Sequence, residues 1–140
     1  MRGYTLIELL FVLTLLAVGA SALVPTARRL ADVASVTVAR EDVVAVLSEA
    51  RARAMTTGGS TVTILTDPAR LRTSPSASID GLLLDDTGRL ELELGGGRDS
   101  TEIRFDALGI GRFANETIVL RRGDASAAVI VSSFGRVRRR

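Results

Sequence analysis

Few residues in this 140-residue chain can do chemistry. It has no cysteine and no histidine, and all 18 of its basic residues are arginine. Thiol nucleophiles, imidazole bases, zinc centres and disulfides are therefore excluded. Without lysine, Schiff bases, Ser-Lys dyads and the phosphate-binding lysine of a P-loop are excluded too. Carboxylates, hydroxyls and guanidinium groups remain. Asp85-Asp86 and the pair Glu91 and Glu93 are the acids whose spacing suggests acid–base catalysis or calcium. Glu91 and Glu93, however, alternate with leucines, which puts them on the solvent face of a strand. Asp85-Asp86 precede a turn glycine, whereas calcium needs six or more converging oxygens. Gly95-Gly96-Gly97 leads into neither a helical pattern nor a Lys-Ser/Thr pair, so no phosphate cradle is expected, and Gly109-Ile110-Gly111 reads as a loop. Ser132 and Ser133 have no base to activate them. No catalytic group, metal site or cofactor motif is expected, and the chain reads as a non-enzyme.

Two features stand out from the rest. The first is Glu8, the one charge in an apolar stretch over residues 4–24. As a helix these 21 residues span about 31 Å, the thickness of a bilayer's hydrocarbon core. A carboxylate there costs roughly 2.5–3.5 kcal/mol on insertion scales, so it needs a partner or a purpose. Three readings compete. One is a secretory signal with Arg2 as its basic region, cut at Ala20-Ser21-Ala22 to release a soluble β-rich domain starting at Leu23. The second is a plain single-span anchor, and the third is a leader cut ahead of a helix that stays on the protein. The second feature is the C-terminal run Gly135-Arg136-Val137-Arg138-Arg139-Arg140, read together with Arg121 and Arg122. Residues 112–140 hold seven arginines against Glu116 and Asp124, while residues 67–106 hold nine acids against five arginines. Guanidinium groups so concentrated suit phosphate contacts of a sequence-independent, salt-sensitive kind. A solvated tail, or one paired with the acidic middle of the chain or with a neighbouring subunit, is the plainer alternative.

The segment Gly3-Tyr4-Thr5-Leu6-Ile7-Glu8-Leu9-Leu10 resembles the processing motif of type IV pilins and type II secretion pseudopilins. The resemblance implies that a prepilin peptidase cuts after Gly3 and methylates the new amino terminus on Tyr4. Glu8 then becomes the fifth mature residue, the family's usual glutamate, and Pro25 stands where these proteins commonly carry a helix-kinking proline. Tyr4 takes the place of the commoner phenylalanine. A charged amine on Tyr4 facing a neighbour's Glu8 turns two costly charges into one compensated pair, a means of setting assembly register. Ala50-Arg51-Ala52-Arg53-Ala54, Phe105-Asp106-Ala107-Leu108-Gly109 and Phe134-Gly135-Arg136-Val137 resemble the GspH/FimT-type minor pseudopilins (type II secretion system protein H-like). That resemblance implies a single-pass protein of the bacterial inner membrane with its head in the periplasm. It also implies assembly with other pilins or pseudopilins into a type II secretion pseudopilus or a type IV pilus, and contact with secreted cargo. Some FimT-type members take up DNA through a C-terminal Gly-Arg-x-Arg pattern, which Gly135-Arg136-Val137-Arg138 fits. Arg121, Arg122, Arg136, Arg138, Arg139 and Arg140 are thus candidate DNA or partner contacts.

These residues need elements to hold them. Leu30, Val33, Ala34, Val43, Val46, Leu47, Ala50 and Ala54 recur at steps of mostly three and four, which predicts an amphipathic helix over residues 26–57 ended by Gly58-Gly59. Joined to residues 4–25 it makes one helix of about 53 residues, kinked at Pro25. Residues 34–39, rich in Val and Thr, are its weakest stretch. Residues 67–80, with Pro68, Pro75 and several serines, read as a loop. Alternation predicts strands over residues 60–66, 81–84, 89–94, 101–105, 117–121 and 127–132, the last two joined across Arg122-Gly123-Asp124-Ala125. The expected organisation is a leader over residues 1–3, a membrane or filament-core half-helix over 4–25, an amphipathic half over 26–57 and a β-rich head over 60–140. The fold class is α+β, a long helix packed on a small antiparallel head.

Overall fold

The structure, a computed structural model, describes residues 5–75, 82–84, 88–112 and 114–140, with residues 22 and 23 described in backbone alone. One helix, α1 (Leu6–Thr57), runs for 52 residues, about 78 Å at the standard rise. It begins at Thr5, whose extended backbone and hydroxyl cap the first turn by accepting from the Glu8 N–H at 3.3 Å. It ends at Gly58, held at φ +90° with its N–H on the Ala54 carbonyl. Pro25 lies inside α1, which continues through it. Residues 34–39 are helical as well, because Val36 and Ala39 are buried under the head and tertiary packing outweighs weak propensity.

The head is two antiparallel sheets. One contains β1 (Gly59–Leu65), β2 (Arg70–Ser74), β3 (Leu82–Leu83), β5 (Ser100–Asp106) and β6 (Gly111–Arg112), in the order β3-β2-β1-β5-β6. The other contains β4 (Glu91–Leu94), β7 (Glu116–Arg122), β8 (Ala125–Val131) and β9 (Val137–Arg139), in the order β4-β7-β8-β9. Alternation sets the inner faces: Val62 and Ile64 on β1, Leu92 and Leu94 on β4, Ile118 and Leu120 on β7 are buried, while Glu91 and Glu93 face solvent as expected. Leu47 of α1, with Ile64, Leu71, Ile103, Ile118 and Leu120 from the sheets, forms the fully enclosed centre.

Three expectations are corrected. Part of the expected loop over residues 67–80 is a strand, since β2 pairs with β1 from Leu65↔Arg70 to Thr61↔Ser74. Its Arg-Leu-Arg-Thr-Ser alternates, but with one aliphatic side chain the signal is too faint beside two prolines and a serine run. The buried stripe of α1 follows the expected Val43, Val46, Leu47, Ala50 and Ala54 but departs from the expected one nearer the N-terminus. Leu30 and Val33 are exposed, and the buried face runs Val36, Ala39, Val43, Val46/Leu47, Ala50 and Ala54. Followed toward the N-terminus, that face carries Asp32 and Arg29, which meet the β7–β8 turn through Arg122 and Asp124. Finally, the C-terminal arginine run is no tail. It contains β9, which pairs with β8 as Val131↔Val137, Ile130↔Arg138 and Val129↔Arg139. The main chain of Arg140 extends the ladder by exchanging two hydrogen bonds of 2.8 Å with Ala128. Asp85 and Asp86 lie outside the described residues.

Candidate functional site: a bare helix and an arginine cleft

Two surfaces carry the residues singled out by sequence. The first is the N-terminal part of α1. Gly3 and Tyr4 lie outside the described residues. From Thr5 to Ser21 every side chain described is exposed, Leu6 by 81% and Phe11 by 68%, whereas from Val36 onward one face is sealed by the head. An apolar surface this long in a single chain calls for lipid or other helices around it. Glu8 is exposed in the first turn. Thr5 and Glu8 stand at N-cap and N3, the Thr-x-x-Glu spacing of a capping box, and its Thr5-to-Glu8 half is formed. The carboxylate also faces the positive end of the helix dipole. Glu8 therefore has a local role that the sequence reading passed over, in addition to any pairing with a second chain.

The second surface lies at the other end of the helix. The segment Ser132–Gly135 turns the chain back on itself. The Gly135 N–H donates to the Ser132 carbonyl, the Arg136 N–H to the Ser132 hydroxyl, and the Ser132 N–H to the Arg136 carbonyl. Gly135 sits at φ +73°, where a Cβ would come within 3.0 Å of the Gly111 nitrogen and of the Phe105 ring. Only glycine fits, so the Gly of Gly-Arg-Val-Arg is a packing requirement. Arg136, just ahead of β9, and Arg138, within it, are two residues apart and fall on one face. With Arg51 of α1, Ile130, Ser132 and Phe134 they line an open cleft of about 670 Å³. Phe134 is 75% exposed. Among the described residues, none of the three arginines makes an ion pair.

Behind the cleft, Asp106 organises the 106–111 loop by accepting from the N–H groups of Leu108 and Ile110, both at 2.9 Å. The Ile110 N–H above all, then that of Leu108 and the Arg112 charge, hold its carboxyl below the usual range. The loop brings Gly109 so close to α1 that a Cβ there would stand 3.2 Å from the Arg51 side chain. Arg51, absent from the sequence-level candidates, is thus given its wall by an aspartate 55 positions away.

The other arginines part company. Arg139 lies on the opposite side of β9 and grips Glu41 of α1 at 3.0 Å. The Arg139 side chain, then that of Arg40, holds the Glu41 carboxyl below its ordinary value. Arg121 pairs with Glu93 at 3.4 Å across β7 and β4. Arg122 donates to Asp32 at 3.1 Å and to Ser35 at 3.0 Å. Arg121 and Arg122 do not join the C-terminal patch. They lie at one end of β8 and the patch at the other, some 20 Å away at the usual strand rise. Sequence reasoning also missed Glu116, buried on β7, which accepts from the N–H groups of Gly95 (2.9 Å) and Thr117 (3.2 Å) and pairs with Arg98. All its partners hold the Gly95–Gly97 turn, a structural task.

Residues 1–24 match the family model described as the prokaryotic N-terminal methylation motif. Behind this motif, the half-bare helix and the sheet-packed head give the chain a type IV pilin-like fold. Its fold is similar to that of the type IV minor pilin FimU of Pseudomonas aeruginosa strain PAO1, known in two crystal forms. One is matched at TM-score 0.60 and 17% identity over 75% of this chain and 87% of that one. The other is matched at 0.56 and 19% over 74% and 91%. At such identity the likeness speaks for the fold. No curated protein matches the chain.

Proposed function

We propose that this chain is a minor pilin or pseudopilin subunit of the GspH/FimT type, with no enzymatic activity of its own. A prepilin peptidase cuts it after Gly3 and methylates Tyr4. The apolar half of α1 holds it in the bacterial inner membrane with the head in the periplasm. It then packs with other pilins or pseudopilins into a filament, either a type II secretion pseudopilus supporting protein secretion or a type IV pilus-like fibre. The observation that carries this reading is the split character of α1: a methylation motif opens a helix whose described side chains from Thr5 to Ser21 are all exposed, and whose later turns, from Val36 on, are the spine of a folded head. In assembly, Glu8 would face the methylated amine of a neighbouring Tyr4, and the head would meet other minor subunits or secreted cargo.

The test is the intact mass and N-terminal sequence of membrane-extracted protein from a host with a prepilin peptidase. A start at methylated Tyr4 is expected, abolished by Gly3→Val. A start at Leu23 would instead show a secreted soluble domain. Normal processing and assembly of the Gly3 variant would remove the reading.

The arginine cleft supports a second reading, DNA binding by the head. Three arginines line one cleft together with an exposed ring, so phosphates and an unstacked base have partners within the same cleft. In this reading Arg51, Arg136 and Arg138 bind, while Arg139 and Arg140 hold the strand in place.

A further inference from the structure

The geometry points to a second anion site at the junction of helix and head: a cleft that takes the headgroup of one anionic glycerophospholipid. It rests on the reading of α1 as a membrane anchor. The apolar run ends at Val24 and Pro25, and Arg28 and Arg29 follow one turn later. Four residues of helix advance about 6 Å, and the polar layer outside the hydrocarbon core is about 5–7 Å deep on each side. With Val24 at the edge of the core, the Arg28 and Arg29 guanidinium groups reach the depth of the lipid phosphates.

What distinguishes this pair from ordinary flanking charge is a roof. The β7–β8 turn comes down from the head onto α1, and Gly123, at φ +56°, lies so near Asp32 that a Cβ would stand 2.8 Å from its carboxylate. The resulting cleft, about 460 Å³, has Val24 and Pro25 on its membrane side, Arg28 and Arg29 along one wall and Asp124 on the rim. Two carboxylates stand near, and only one of them meets an arginine of the cleft. Asp32 is committed to Arg122 at 3.1 Å. Asp124 approaches Arg29 only at 3.9 Å, with both side chains largely exposed. Among the described residues Arg28 makes no ion pair. A phosphodiester entering here meets cationic donors, and its acyl chains lie along the apolar face below. The bound lipid would fix the head's height above the bilayer before assembly, and drawing the helix out of the membrane would break the contact.

The test uses the full chain in neutral detergent, with lipid binding read by native mass spectrometry. One phosphatidylglycerol per chain is expected, at least about tenfold tighter than phosphatidylcholine. At about fivefold per arginine, the doubly substituted Arg28→Gln, Arg29→Gln chain should bind it about 25-fold more weakly. Asp124→Asn, which frees Arg29, should tighten binding, and Arg104→Gln, on the far sheet, should leave it unchanged. Equal affinity for phosphatidylcholine, an unaltered double variant, or inorganic phosphate competing as well as the lipid would each overturn the inference. Co-flotation with vesicles of phosphatidylcholine alone checks the anchor separately. A chain that floats without preferring phosphatidylglycerol retains its anchor and loses this site, whereas one that fails to float loses both.

Discussion

Replacing Arg136 and Arg138 together by alanine tests the proposed DNA-binding role of the C-terminus apart from its structural one. Both side chains are exposed and line the same cleft as Arg51, while the strand that carries them is held by main-chain bonds to β8 and by Arg139 on Glu41. The substitution should therefore leave folding within about 0.5 kcal/mol of the parent. Its effect on nucleic acid can be worked from the number of cations. If each of three guanidinium groups neutralises one phosphate, the logarithm of affinity falls with that of salt at a slope of about −2.7. Between about 50 and about 200 mM salt the parent should lose about 40-fold in affinity, and the double variant, left with Arg51, only about 3.5-fold from a weaker start. Fluorescence anisotropy of labelled DNA with the full chain in neutral detergent, over a salt series, reads both numbers. Arg139→Ala, which removes a contact on the other side of the strand, should leave the slope unchanged. An unchanged slope in the double variant, or no binding by the parent at low salt, would refute the three-cation argument.

Other outcomes follow from the interior. Leu47→Ala, at the enclosed meeting of α1 with both sheets, should cost about 2–5 kcal/mol in chemical denaturation; a loss under about 1 would show that the head does not depend on α1. Glu116→Ala removes the side-chain acceptor of the Thr117 N–H, one of the two acceptors of the Gly95 N–H and the partner of Arg98, and should cost about 1–3 kcal/mol, and Glu116→Gln, which keeps an acceptor but not the charge, should cost less. Gly135→Ala forces a side chain to φ +73° and into the Phe105 ring, so it should weaken the fold and DNA binding together, unlike the arginine variants. Glu41 and Asp106 both have folded-state values held below those of the unfolded chain. The stability they contribute is whole above the unfolded carboxylate range and drains away as pH falls below about 4, through the folded values. Glu41→Gln and Asp106→Asn should each flatten the acid limb of the stability–pH curve, and an unaltered limb in both would count against the assignment.

Features that depend on local order and composition were legible without the fold. The absence of Cys, His and Lys closed off most chemistry before any fold was known. The length of the apolar run, the motif from Gly3 to Glu8 and the glycine stop at Gly58 are contiguous signals, and the long helix with its β-rich head could be read from them. Strands with strong alternation, such as Leu90 to Leu94, were equally legible. Which residues meet is set by the packing of helix against sheets. The helix face was misread at Leu30 and Val33 because periodicity fixes a stripe only to within a residue, and the head is what chooses the face. The strand β2 was hidden because its pairing partner β1, not its own composition, makes it a strand. Four closely spaced C-terminal arginines looked like a single patch. The two-residue period of β9 sends Arg136 and Arg138 to the cleft and Arg139 to Glu41. Arg51 joins that cleft from a helix some 85 residues earlier in the chain, a meeting that no local pattern encodes.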